Sequence, residues 1–320
     1  MSRALNGDRW VSPDARRAVD RAIKETKYRV NRHARSLATG RSDSVAFLLT
    51  EPQHLLFTDP TFALLLRGAA DALARRGQTL IMLIAGTATE REHVISYVAA
   101  GHVDGVLLIS SHENEPLLGA LLAEGIPVVS CGIPLGHANK VPWASAAEED
   151  GARTMVTHLL DSGRRRIAFI AGPLDTPGGR FRLAGYRAEL EAAGRSVDEN
   201  LIGYGDYSVS SGMRTMAELL RRAPDLDAVF AANDLMASGA LAALRVAGRR
   251  VPDDVAVAGF DDSGLAATLD PPLTTMHQEF DVISTEMVEI LLDLVAGRPG
   301  RFVTVPATLV VRESTSASAG

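Results

Sequence analysis

The chain has 320 residues, 46% of them hydrophobic and 22% charged, with a net charge of −6 and one cysteine, Cys131. That length suits about two domains at roughly 100 to 200 residues each, and the lone cysteine excludes an intramolecular disulfide and fits a reducing compartment. No apolar run approaches the roughly 20 residues that span a bilayer, and the N-terminus lacks the apolar core of a signal peptide, so a cytoplasmic protein with no membrane partner is expected.

Taken in chain order, the first 41 residues stand apart by charge. They hold 11 Lys/Arg against four acids, a net +7, so with −6 overall residues 42–320 carry −13. A basic head on an acidic body meets a polyanion with one end only, and DNA is the usual partner. Within the head, Ser12 is a good N-cap and Pro13 suits the first turn of a helix whose apolar positions Ala15, Val19, Ala22 and Ile23 recur at helical spacing. A second helical stretch over 31–38 is too short to persist in water unaided.

From residue 44 two periods alternate. Apolar runs at 45–49, 79–85, 105–109 and 127–130 predict buried strands, and amphipathic stretches at 62–76, 89–100 and 116–124 predict helices between them. A second round follows, with strands at 167–171, 228–231 and 255–259 and helices at 148–160, 180–193, 210–221, 234–247 and 281–296. Alternating strand and helix implies α/β lobes with parallel sheets, and two rounds imply two lobes with a ligand cleft between them, at the carboxyl ends of the strands.

Residues at those strand ends are the candidates for ligand recognition. The loop after the first strand is long and holds Phe57, Asp59 and Phe62; aromatics beside an acid suit a saccharide. Ser110 ends the third strand and can reach the cleft. Small residues from Cys131 leave room at the end of the fourth. Enzyme signals are missing: there is no Gly-rich phosphate loop, no dinucleotide fingerprint and no His/Cys metal spacing, so no catalytic residue, metal or cofactor is expected. The adjacent acids Asp261 and Asp262 leave a strand on different sides and do not form an acid–base pair.

The chain resembles the LacI/GalR family of bacterial transcription regulators. The resemblance rests on Ser2 to Gly7, Val11-Ser12, Tyr28 to Asn31 and Ala34 to Leu37 in the head. In the body it rests on Ala171-Gly172-Pro173, Arg182 to Tyr186, Ala232-Asn233-Asp234, Gly259 to Asp262, Pro271 to Thr275 and Gln278 to Phe280. It implies a helix-turn-helix headpiece and hinge helix over 1–41, then a periplasmic-binding-protein-like (type I) body over 42–320. The body's lobes would cover about 44–146 with 280–305, and about 147–277 with 306–314.

The same resemblance implies function. A homodimer would bind a near-palindromic operator through Ser2, Arg3, Asn6 and Ser12 in the major groove, and through hinge residues Asn31, Ala34 and Leu37 in the minor groove, Leu37 prying a base step. It places Met1 inside the recognition helix, so the first helix of a complete headpiece is expected upstream and the polypeptide as written is expected to bind operator poorly. Effector positions carry over onto Arg182, Asn233, Asp261 and Tyr207, with Gln278 where the chain crosses between lobes. Asp234 is expected to cap its helix and Asp262 to serve structure. The reading is a repressor of carbohydrate-utilisation genes controlled by a mono- or oligosaccharide. A sugar-binding protein without DNA binding and a purine-sensing regulator of the same family are the alternatives.

Overall fold

In a computed structural model, residues 12–26 and 41–316 are described. The chain forms two compact units, Met1–Asp43 and Ser44–Gly320. In the first, helix α1 spans Pro13–Thr26, starting at the proline that follows Ser12. Ser2, Arg3, Asn6, Asn31, Ala34, Leu37 and the stretch 31–38 lie outside the described residues.

The second unit has two lobes. The first is built on a parallel six-stranded sheet in the order β11-β5-β4-β3-β1-β2. Its strands are β1 (Ser44–Leu49), β2 (Thr79–Ile84), β3 (Gly105–Ile109), β4 (Val128–Cys131), β5 (Trp143–Ala146) and β11 (Phe302–Val305). Every residue of β1 is buried, because helices cover both faces of a central strand. Those helices are the short α2 (Leu55–Thr58), α3 (Pro60–Arg75), α4 (Ala88–Ala99), α5 (Pro116–Ala123) and α10 (Phe280–Val295).

The second lobe holds a parallel four-stranded sheet, β7-β6-β8-β9, from Ile202–Tyr204, Ile167–Ala171, Ala228–Ala231 and Ala256–Ala258. Its helices are α6 (Glu148–Asp161), α7 (Pro177–Ala192), α8 (Val209–Arg222) and α9 (Asp234–Val246). An antiparallel pair, β10 (Thr275–His277) with β12 (Thr308–Val310), lies beside it. The chain crosses between lobes after β5, after β10 and after β11. Among the described residues no helix is long and apolar enough to cross a membrane.

Most helices and buried strands fall where the hydrophobic periods predict. The strands at 143–146, 202–204, 275–277, 302–305 and 308–310 carried no such signal: each is three or four residues long, and β11 and β12 are largely open to solvent, so neither length nor apolarity marks them.

The 182–186 segment shows how one helix serves three demands. Arg182, Gly185 and Tyr186 share a face of α7 at helical spacing. Tyr186 stacks on Phe169 with ring centroids 5.0 Å apart and donates to the Ile167 carbonyl at 2.8 Å. Gly185 lets α6 approach so closely that an added Cβ would sit 2.3 Å from the Glu149 carbonyl oxygen. A backbone atom cannot swing aside, so Gly185→Ala should push α6 off α7 and cost about 1–3 kcal/mol by overpacking, seen as a lower urea midpoint with the fold retained.

Candidate functional site

Strand and helix alternation puts helix N-termini along the carboxyl ends of both sheets, and the cleft between the lobes is lined by those loops. It encloses about 530 Å³, within the range of small-molecule sites. The N-terminal turns of α7, α8 and α9 open on it through Pro177, Val209 and Leu235, so backbone N–H groups and positive dipole ends face the cavity.

One wall is a buried ionic network. The Arg182 guanidinium, 5% exposed, donates from Nε to Glu148 at 2.5 Å and from Nη1 to the Ala232 carbonyl at 2.5 Å and to Asp261 Oδ1 at 3.3 Å. It lies 3.8 Å over the Phe260 ring. Among the described residues no hydrogen bond uses Nη2. Burial works against the charge, but Glu148 and Asp261 outweigh it and hold Arg182 protonated. Asp261 also accepts from Gln278 Nε2 at 2.7 Å. Burial pushes its carboxyl well up from the usual range, opposed by Arg182. Its φ of 112°, in a region that favours glycine, turns the side chain from the strand exit into this network.

Of the residues named from sequence, Asp59, Phe62, Ser110, Arg182, Tyr207, Asn233, Asp261 and Gln278 all line the cavity, but they do so in different ways. Asp59 caps α3, accepting from the Thr61 amide at 2.9 Å and the Thr61 hydroxyl at 2.7 Å. Asn233 caps α9 by accepting from the Met236 amide at 2.9 Å, and its amide donates to the Tyr207 carbonyl at 3.1 Å. The cap of α9 is therefore Asn233, not Asp234, and the Asn233 side-chain amide, on a position expected to meet the effector, is engaged in holding Tyr207.

Asp234 sits one residue inside α9, buried, and accepts from the Thr275 hydroxyl at 2.6 Å; burial pushes its carboxyl up to about 7. Tyr207 has φ 65° and hydrogen-bonds Thr176 Oγ1 at 3.1 Å, and its ring covers Gly172, where a Cβ would lie 2.3 Å from it. Ser110 donates to Glu51 at 2.5 Å rather than standing free.

Phe57 needs correction. It is 77% exposed and is not part of the cavity wall. Leu55 and Thr58, one turn apart on α2, take the inner face, and Phe57 falls on the opposite side. Ser12, at the start of α1, belongs to the other unit. Asp262 pairs with Arg312 at 2.7 Å and His277 at 3.2 Å, both structural contacts within the second lobe.

Sequence reasoning passed over Glu51, His112 and Glu148, all on the wall. Glu148 opens α6, where an acid reads as a favourable first-turn charge; only the approach of α7 makes it the partner of Arg182. Cys131 also lines the cavity, and burial pushes its thiol up to about 12, so it is a small unreactive wall residue. Among the described residues no cluster of His, Cys, Asp and Glu could hold a metal ion.

Removing the cation should be costly. Arg182→Met leaves Glu148 and Asp261 buried without their shared partner, and a loss of about 3–5 kcal/mol in unfolding free energy is expected from urea titration.

Comparison with known proteins agrees with this architecture. A periplasmic binding protein-like domain matches residues 156–315. The chain is 45% identical to the HTH-type transcriptional regulator CelR of Thermobifida fusca over 98% of its own length and 93% of that protein's. A solved transcriptional regulator CelR–cellobiose complex superposes with a TM-score of 0.84 at 43% identity, covering 98% of this chain and 94% of that one. The Lac repressor dimer bound to operator and an anti-inducer gives 0.84 at 27% identity, over 99% and 94%. Identity of this extent, together with the two parallel-sheet lobes and the cleft between them, shows that the chain belongs to the LacI/GalR family of transcription regulators.

Proposed function

We propose that this regulator represses carbohydrate-utilisation genes and that its effector is a neutral saccharide, a disaccharide before longer or shorter sugars, held in the interlobe cavity. The observation that carries this reading is the pairing of walls. A fixed set of donors and acceptors, Arg182, Asp261 and Gln278, occupies one side, and Phe62 and Tyr207 line the same space. Sugar hydroxyls need donors and acceptors together, and the apolar C–H faces of a pyranose stack on aromatic rings. The relative solved with cellobiose supports the choice of a disaccharide.

The regulatory half of the reading follows the family. A homodimer would bind a near-palindromic operator, with Leu37 as a minor-groove wedge flanked by Asn31 and Ala34, and Ser2, Arg3, Asn6 and Ser12 toward the major groove. The relative solved as a dimer on operator supports this assembly. Effector and operator then share one coupling free energy, so each changes the other's affinity by the same factor.

Two measurements test the reading. Titration calorimetry with cellobiose should show binding that Asp261→Asn and Arg182→Lys each weaken by about 1.5–3 kcal/mol, the range for hydrogen bonds to charged groups; full affinity in both variants would remove the site assignment. Leu37→Ala should weaken operator binding in gel-shift titration while leaving cellobiose affinity unchanged.

A further inference from the structure

At the solvent edge of the cleft, away from the Arg182 network, the lobes are joined by a second set of contacts. His112 follows β3 in the first lobe. Its Nε2 lies 2.8 Å from Oε1 of Glu51, which follows β1 in the same lobe. Its Nδ1 lies 2.9 Å from Oδ2 of Asp175, which precedes α7 in the other lobe. Beside it the Glu113 amide donates to the Asp175 carbonyl at 2.7 Å, and the Glu113 carboxylate pairs with Arg180 of α7, Nη1 to Oε1 at 3.1 Å. Glu51 and His112 also line the cavity, so this bridge is part of its wall.

We infer that His112 is a latch residue, joining the lobes over a bound effector and setting how fast the effector leaves. The proposal rests on the reading of the cleft as the effector site. The chemistry of the bridge is specific. Both ring nitrogens face carboxylates, and a neutral imidazole carries only one N–H, so the two bonds form together only with the imidazolium. An effector can leave the cavity on this side only when the bridge between the lobes parts, and parting it separates the cation from Asp175.

The bridge is pH-dependent with a defined sign. Hydrogen bonding to Glu51, with Asp175 added and burial opposed, raises His112 to about 9. The groups that face it are Glu51 from the β1 loop, Asp175 from the loop before α7, and Glu115 on its own loop, itself 3.0 Å from Arg91. Glu51 is held below the usual carboxylate range: burial raises it, and the bonds from His112 and Ser110 outweigh burial. Glu51 therefore stays charged above neutrality, and the histidine is the group that titrates. A raised histidine holds the latch in full below its ordinary value near 6.5 and loses it as pH climbs through about 9.

The test uses the full chain with cellobiose as probe, in stopped-flow measurements at pH 7 and pH 10. At pH 7, His112→Gln and the isosteric Asp175→Asn should each raise koff about tenfold, the lower end for a charge-assisted bond, with kon within about twofold. Wild-type koff should rise by a similar factor between the two pH values, and that of His112→Gln should stay flat. Without effector, a double-mutant cycle of His112→Ala and Asp175→Ala in urea unfolding should depart from additivity by about fivefold in the equilibrium constant. A wild-type koff independent of pH, or additivity in the cycle, overturns the latch. If cellobiose does not bind the wild type, the saccharide reading fails and the effector-free cycle alone decides the latch.

Discussion

The second lobe and the cleft depend on one buried cation. Arg182 projects from α7 and meets Glu148 from the start of α6, the Ala232 carbonyl after β8 and Asp261 after β9. Gln278, on the crossing toward α10, joins through Asp261. Taking a guanidinium out of water costs several kcal/mol unless it is paired and its hydrogen bonds are met. Meeting that cost fixes four chain segments relative to one another, and it gives the cavity a polar wall that is set before any ligand arrives.

The opposite logic governs the edge of the cleft. His112, Asp175, Glu113 and Arg180 are partly open to solvent, where ion pairs are individually weak and salt-sensitive. Deep charge gives a rigid wall, and shallow charge gives a contact that can part. The two kinds lie at different depths of one cavity.

Helix capping and the cavity wall draw on the same residues in this fold. In a parallel α/β lobe the segment between a strand and the helix that follows it lies at the cleft, so Asp59, Thr176, Ser208 and Asn233 are N-caps and cavity residues at once. Short polar side chains suit both tasks. That double demand explains why a polar residue at a strand exit could be placed in the cleft from sequence while its hydrogen bonds could not be assigned. Asn233 went to the cap, and Asp234 beside it went to Thr275.

The sequence by itself determined the α/β class, the two lobes, the cleft at the strand ends and eight of the residues that line it, because hydrophobic period and chain order are local and parallel sheets have few ways to close. It could not show which way a side chain turns on a helix of four residues, and Phe57 went to solvent while Leu55 went inward. Nor could it show the short edge strands, whose pairing is made by neighbours rather than by their own three or four residues. Glu148 with Arg182 and His112 with Asp175 are separated by 34 and 63 positions, and only the packing of α6 on α7 and of one lobe against the other brings them together. Contacts between distant segments depend on where folding puts whole elements, and no local pattern encodes that.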